Sequence, residues 1–336
     1  MGGDMKSLLR SAALAVGAFA FSAPAAAQEG PDFHVARQPG LVYIQAIIME
    51  DKKLIEKHAA ALGMKDIKMR WSIITSGGVM TEAIISNSID IAITGVSNML
   101  LAWGKTGNIK MLTGVAGVPF KLLTRNANVK SIKDFGPNDR IAVPTIRASM
   151  QAMMMGIALE QAYGIGQHGR LDSNQVQLGH PDAMQALLSP QHEVNSHFSI
   201  PPFQDIAMKS PLVHTVFVSS DVLGGPATIS NCWATQKFVD ASPLKIKAFI
   251  AAVDEASDMV AHDPKLAAEI YVRVTKEKIT VDELVAIIKQ PGAIFSATPQ
   301  RSMLWAEYMY RIGLVKTKPA SWKDYTFPFI YDRNGS

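Results

Sequence analysis

The stretch from 76 to 98, read S-G-G-V-M-T-E-A-I-I-S-N-S-I-D-I-A-I-T-G-V-S-N, constrains this chain more than any other. It sets out a glycine-rich helix entrance, a short helix over 79–87, a buried strand over 89–94 and a second helix entrance before a helix over 97–104. The first N–H groups of a helix have no partner inside it, so two entrances built on small residues can aim main-chain donors at one point. A negatively charged or strongly polar small molecule suits such a point. The pattern reads as capture rather than chemistry.

Strands and helices alternate on either side of it. Residues 33–37 read as a first strand, and the turn Gln38-Pro39-Gly40 follows. Apolar positions at 41, 44, 47, 48, 54, 55, 59 and 62 predict one helix over 41–62, closed by Gly63. Residues 67–73 alternate as a strand with one buried face, and 109–116 reads as a further strand. From about 125 to 222 the rhythm repeats on a smaller scale: strand 140–143, helix 148–163, strand 174–178, helix 181–188, then strands 193–197 and 212–218. Gly224-Gly225-Pro226 precedes an alternating strand over 227–235, and the remainder is almost wholly helical. Ser242-Pro243 and Asp263-Pro264 each place a capping side chain before Pro at the first helical position. Thr280-Val281-Asp282-Glu283 is a capping box, and Thr298-Pro299 is expected to start a last long helix.

This βα rhythm predicts an α/β protein with mainly parallel sheets and helices on both faces. The order of the segments predicts one unit inserted into another. Lobe 1 would comprise 28–122 and 225–336, and lobe 2 would comprise 123–224, with crossings near 118–124 and 224–230. Ligands of open α/β sheets bind beyond the carboxyl ends of the strands, which places the expected site in the cleft between the lobes.

Residues 1–27 read as a cleavable secretory signal. Lys6 and Arg10 make its start positive, an apolar run extends to about Phe21, and Ala25-Ala26-Ala27 offers a cleavage site before Gln28. The run falls short of the about 20 residues that a bilayer span needs, and Pro24 closes it. No Cys lies near the cleavage point to carry a lipid, so a periplasmic protein without a lipid anchor is expected. Asp4, Lys6 and Arg10 leave with the signal, so 33 basic and 29 acidic side chains become 31 and 28. The surplus is thin and scattered, without a basic block or stripe, which argues against a nucleic-acid partner. Cys232 is the only cysteine, so no internal disulfide is available and stability rests on the core. His192 and His197 lie five apart in an expected strand, on opposite faces and without a Cys partner; no metal site and no cofactor is expected.

The chain resembles the exported solute-binding proteins of ABC importers, in the nitrate/taurine/aliphatic-sulfonate group with the type II periplasmic-binding fold. Ser76-Gly77-Gly78 and Ser88-Ile89-Asp90-Ile91-Ala92-Ile93-Thr94-Gly95 carry the resemblance. Ser131-Ile132-Lys133-Asp134-Phe135-Gly136, Ile141-Ala142-Val143-Pro144 and Gly313-Leu314-Val315-Lys316 add to it. It covers nearly all of the chain after the signal and names no ligand. It implies capture of a small anionic or polar solute by a monomer, closure of the lobes, and delivery to an inner-membrane permease without an enzymatic step.

The expected contacts lie where strands hand over to helices. Gln38, Gly40 and Leu41 offer a side-chain amide and a helix entrance, or an ordinary tight turn. At Ser76, Gly77 and Gly78, two glycines let the backbone approach a ligand and the hydroxyl adds a donor, although Ser76 can also simply cap its helix. Thr94, Gly95 and Ser97 form the matching corner. In the second lobe, Thr145, Arg147 and Ser149 lead into a methionine-rich helix; Arg147 is either a forked partner for an anion or a solvated side chain. Phe198 would pack on an organic tail or lie in the core. Two other roles remain open on such a fold. One is a desulfinase-like or pyrimidine-related enzyme, for which Cys232 is poorly placed. The other is a sensor that presents its ligand to a membrane protein.

Overall fold

The computed structural model describes residues 29–336, so the expected signal at 1–27 lies outside the described residues. Among the described residues the strands form a six-stranded and a five-stranded sheet. The first contains β1 (Asp32–Arg37), β2 (Lys68–Ile73), β3 (Ile91–Gly95) and β4 (Ile109–Gly117). The second contains β5 (Lys121–Thr124), β6 (Ile141–Val143), β7 (Gln175–Gln177), β8 (Ser196–Ser199) and β9 (His214–Val218) in the order β7-β6-β8-β5-β9. The chain then returns to the first sheet with β10 (Ser230–Thr235) and β11 (Ile294–Phe295), completing the order β11-β4-β10-β3-β1-β2.

The βα rhythm accounts for the parallel pairs, β1 with β2 and β3, and β6 with β7 and β8. The sheets as wholes are mixed rather than mainly parallel. The return strand β10 enters antiparallel between β3 and β4, β11 lies antiparallel on β4, and β5 runs antiparallel to β8 and β9. A strand that re-enters from the other lobe has no crossover helix to carry it back to the starting edge, so it arrives running the opposite way.

The helices are α1 (Ile44–Lys52), α2 (Leu54–Ala61), α3 (Gly77–Ile85), α4 (Val96–Thr106), α5 (Met150–Tyr163), α6 (His180–Leu188) and the short α7 (Phe203–Ala207) and α8 (Ser219–Leu223). The last third adds α9 (Gln236–Ala241), α10 (Pro243–His262), α11 (Pro264–Thr275), α12 (Val281–Ile288) and α13 (Met303–Arg311). Among the described residues no helix is long and apolar enough to cross a membrane.

Several local expectations are corrected. The single helix over 41–62 is broken: its first turn is a 3-10 helix at Leu41–Tyr43, and Lys53 adopts left-handed backbone (φ 52°) between α1 and α2. The break redirects the apolar stripe, so that α1 and α2 both pack against α10. The helix expected from Thr298 begins only at Met303. Thr228 and Gln300 exchange hydrogen bonds of 2.8 Å, which holds that segment extended, and Arg301 has a left-handed φ of 51°. Asp263 caps α11 through Leu266 N (3.0 Å), and Thr280 and Glu283 form the capping box of α12. Ser242 caps nothing; the Glu29 carboxylate accepts the α10 donors Leu244 N (2.7 Å) and Lys245 N (3.1 Å) instead. The strand expected over 193–197 is β8, and His192 lies before it with its Nδ1 accepting from Val194 N. β5 spans the expected lobe boundary at 122/123 and pairs wholly within the second sheet, which draws the crossing back to 118–120.

The larger of two hydrophobic clusters among the described residues runs beneath both sheets, anchored by Trp233, Trp305, Tyr271 and Phe249, each fully buried, and a small one of Ala142, Ala183, Ala186 and Val194 lies in the second lobe. Burying side chains of this size stabilises the fold by at least about 1.5–3 kcal/mol apiece. At the crossings a side chain on Gly117 would collide with the Ala227 carbonyl, so the two connecting segments touch backbone to backbone. The carboxyl ends of β1, β3, β6 and β8 meet between the lobes.

Candidate functional site

Four helices begin at this meeting place, two from each lobe. α3 starts at Ser76, whose Oγ accepts from Val79 N and from Gln177 Nε2 of the other lobe (3.4 Å). α4 starts after Gly95, which supplies no side-chain cap; Val96 N donates to Ile229 O instead (2.8 Å). α5 is capped by Ser149, whose Oγ accepts from Ala152 N (3.3 Å), and α6 starts after Gly179. Gly179 lies so close to Thr75 that an added Cβ would come within 2.7 Å of its side chain. The lobes are therefore in contact around a closed cleft.

Between the atoms of the cleft lies about 310 Å³ of non-atom space, part of it open to solvent. Its polar walls are Gln38, Tyr43, Asn98, Ser149, Gln151 and His180; its apolar walls are Phe120, Pro144, Met150, Ile200 and Ile229, and Gly95 completes the lining. None of these side chains is a carboxylate, an ammonium or a guanidinium. The polar groups answer one another. Tyr43 Oη donates to Gln38 Oε1 (2.9 Å), Gln38 Nε2 to Thr75 O (3.0 Å), and Asn98 Nδ2 to Thr94 Oγ1 (3.1 Å). A relay runs from Gln151 Nε2 to His180 Nε2 (3.1 Å) and from His180 Nδ1 to His197 Nε2 (2.9 Å). Burial pushes His180 down to about 3 and His197 well below the ordinary imidazole value, so both are neutral at neutral pH. Burial also raises the Tyr43 phenol, which stays protonated and donating.

Of the residues singled out in the sequence, Gln38, Gly95 and Ser149 line the cavity. Gly77 packs directly against the Asn98 side chain, and Gly78 faces Thr145 across the lobes. Thr94 holds Asn98, and Ser97 is fully buried with its N–H on Met150 Sδ (3.2 Å). The Oγ of Ser97 and the Oγ1 of Thr145 are buried without a hydrogen-bond partner. Gly40 (φ 126°) and Leu41 serve the contact between lobes: Leu41 N donates to Pro201 O (2.9 Å), and a side chain on Gly40 would strike Ile200.

Two expectations are corrected. Arg147 turns out of the cleft, with its side chain 66% exposed and its Nε on Asp172 at 2.8 Å. The loop is turned by left-handed backbone at Arg147 (φ 59°) and by Gln175 Oε1, which accepts its N–H. Phe198 is fully buried edge-to-face against Phe217 in the core of the second lobe. The residues missed were Tyr43, Asn98, Gln151 and His180, together with the apolar walls. Each of these four lies in the first turn after a helix entrance, and that position was the available signal. Phe120 and Ile229 lie on the crossing segments, where nothing local marks them.

No protein-family model matches the sequence, and no curated protein matches it. Solved structures do. The alkanesulfonate-binding protein SsuA from Xanthomonas axonopodis pv. citri, bound to MOPS, superposes with a TM-score of 0.71 at 13% identity over 90% of this chain and 99% of that one. The periplasmic nitrate-binding protein NrtA from Synechocystis PCC 6803 gives 0.62 at 13% identity, over 87% and 83%. A Candida albicans protein described as having the generic periplasmic binding protein structural fold gives 0.67 at 15% identity, over 88% and 96%. The chain has the periplasmic-binding-protein fold. In that fold the cavity between the lobes occupies the crevice beyond the strand ends where ligands of α/β sheets sit.

Proposed function

We infer that this chain is the solute-binding component of an ABC-type import system, capturing a small organic anion of sulfonate or carboxylate type between its lobes. One observation carries this: a cavity between the lobes with uncharged walls, onto which helix entrances from both lobes converge. Each helix N-terminus presents about half a positive charge, so main-chain donors can hold an anion without a cationic side chain. Phe120, Ile200 and Ile229 give the organic part of the solute an apolar wall. The fold supports the transport reading, since structures of this shape include proteins described as binding alkanesulfonate and nitrate. The signal expected at 1–27 would deliver the chain to the periplasm, where an inner-membrane permease would meet the closed form.

Enzymatic use of the thiol is not supported. Cys232 is fully buried in β10 between β3 and β4, and burial pushes its thiol up to about 12, which leaves no thiolate to attack.

A thermal-unfolding screen tests the reading. Solute at a hundred times its dissociation constant stabilises the folded chain by about 2.7 kcal/mol. An alkyl or aryl sulfonate or carboxylate is expected to raise the melting temperature and a cationic amine to leave it unchanged; the opposite pattern overturns the anion assignment.

A further inference from the structure

We propose that Met150 is a displaceable plug that holds the place of the solute's anionic head group; this rests on the capture reading above. Met150 is the first residue of α5 in one lobe, and its thioether reaches the entrance of α4 in the other. There Sδ accepts the Ser97 N–H at 3.2 Å, with the side chain 3% exposed. Gly95 makes room for it: an added Cβ would come within 2.8 Å of Met150 Cγ. Beside this contact the Ser97 hydroxyl is fully buried and has no partner. The entrance of α4 thus holds one donor occupied by a weak acceptor and one hydroxyl occupied by nothing.

The chemistry favours exchange. A thioether sulfur is a weak acceptor, whereas an anionic oxygen forms a shorter, charge-assisted bond to the same N–H. The partial charge at the helix entrance strengthens that preference for an anion. Methionine has three rotatable bonds and fills irregular spaces, so it can swing aside without moving α5. A neutral solute makes a bond to Ser97 little better than the thioether does and does not dislodge it. The plug therefore selects for charge in a site without charged walls.

The test uses the full mature chain labelled with methyl-¹³C methionine, with ethanesulfonate and the uncharged ethyl methyl sulfone as probes. The Met150 methyl resonance is identified by its loss in Met150→Leu. Ethanesulfonate is expected to move that resonance and the sulfone to leave it in place. Met150→Ala is expected to bind ethanesulfonate about tenfold more tightly, the worth of the one hydrogen bond that no longer competes. Met150→Leu keeps the apolar bulk and lacks the acceptor, so it reports the same tightening should the alanine variant fail to fold. If the wild-type chain binds ethanesulfonate with the Met150 resonance unmoved, or if neither variant binds it more tightly, the plug is overturned and capture stands. If neither the wild-type chain nor the variants bind any anion of the screen, the capture reading fails and the plug with it.

Discussion

On the proposed reading the cleft holds an anion through main-chain donors and neutral side chains, and Arg147 is the residue that makes the point. Its guanidinium is engaged by Asp172 and faces solvent. Exposed ion pairs of this kind contribute about 0–1 kcal/mol. Arg147→Ala is therefore expected to leave solute affinity within about twofold in a calorimetric titration, and a loss of tenfold or more would place the guanidinium in the site after all. The sequence made Arg147 attractive because it stands just before a helix entrance. Asp172 and Gln175, which decide where it points, are far along the chain and carry no local mark. The histidine pair gives a second expectation. His180 and His197 stay neutral in the folded chain but titrate near 6.5 once unfolded. Their contribution is intact above about pH 6.5 and declines as the pH falls, because the unfolded state binds protons that the folded state excludes. Between pH 7 and pH 5 the loss is on the order of 4 kcal/mol for the pair. Glu160 and Asp51, held below the usual carboxylate range by Arg311 and Arg273, act at lower pH than this. Denaturant unfolding at the two pH values measures it, with His180→Gln expected to remove about half of the slope; a flat profile would contradict neutral burial.

At the scale of elements, what was legible is what depends on nearest neighbours along the chain. The helix entrances at Ser76, Ser149 and Thr280 and the glycine stop at Gly63 are local chemistry, and they stand where the pattern puts them. The elements that differ are decided by partners far away. The helix start at Thr298 loses to pairing with Thr228, and β5, only four residues long, is too short to show alternation. The cap of α10 passes from Ser242 to Glu29, which an expected cleavage before Gln28 keeps on the mature chain. Glu29→Ala is expected to lower stability by about 1 kcal/mol, as loss of a charged N-terminal cap does. Equilibrium unfolding in denaturant checks this, and an unchanged midpoint would show that the carboxylate contributes nothing.

At the scale of the whole molecule, two α/β units could be read from periodicity, while their contacts could not. Closure depends on Gly179 against Thr75, Gly95 against Met150, Leu41 against Pro201, and the ion pair of Glu160 on α5 with Arg311 on α13. None of these pairs is near in sequence. The candidate site was legible in the same proportion: its corners were visible as helix entrances, and its walls were supplied by first-turn residues, by Pro144 and Ile200 just past strand ends, and by the crossings. Gly77 joins the two scales, because any side chain there displaces the Asn98 amide from the cleft while leaving the sheets and the core untouched. The direct measurement is a calorimetric titration of the wild-type chain and of Gly77→Ala with the anion that stabilises the protein best. A single saturable site in the wild type, weakened at least about tenfold in a variant of unchanged circular dichroism, is the expected result. Equal affinity in the two proteins would contradict capture between these lobes.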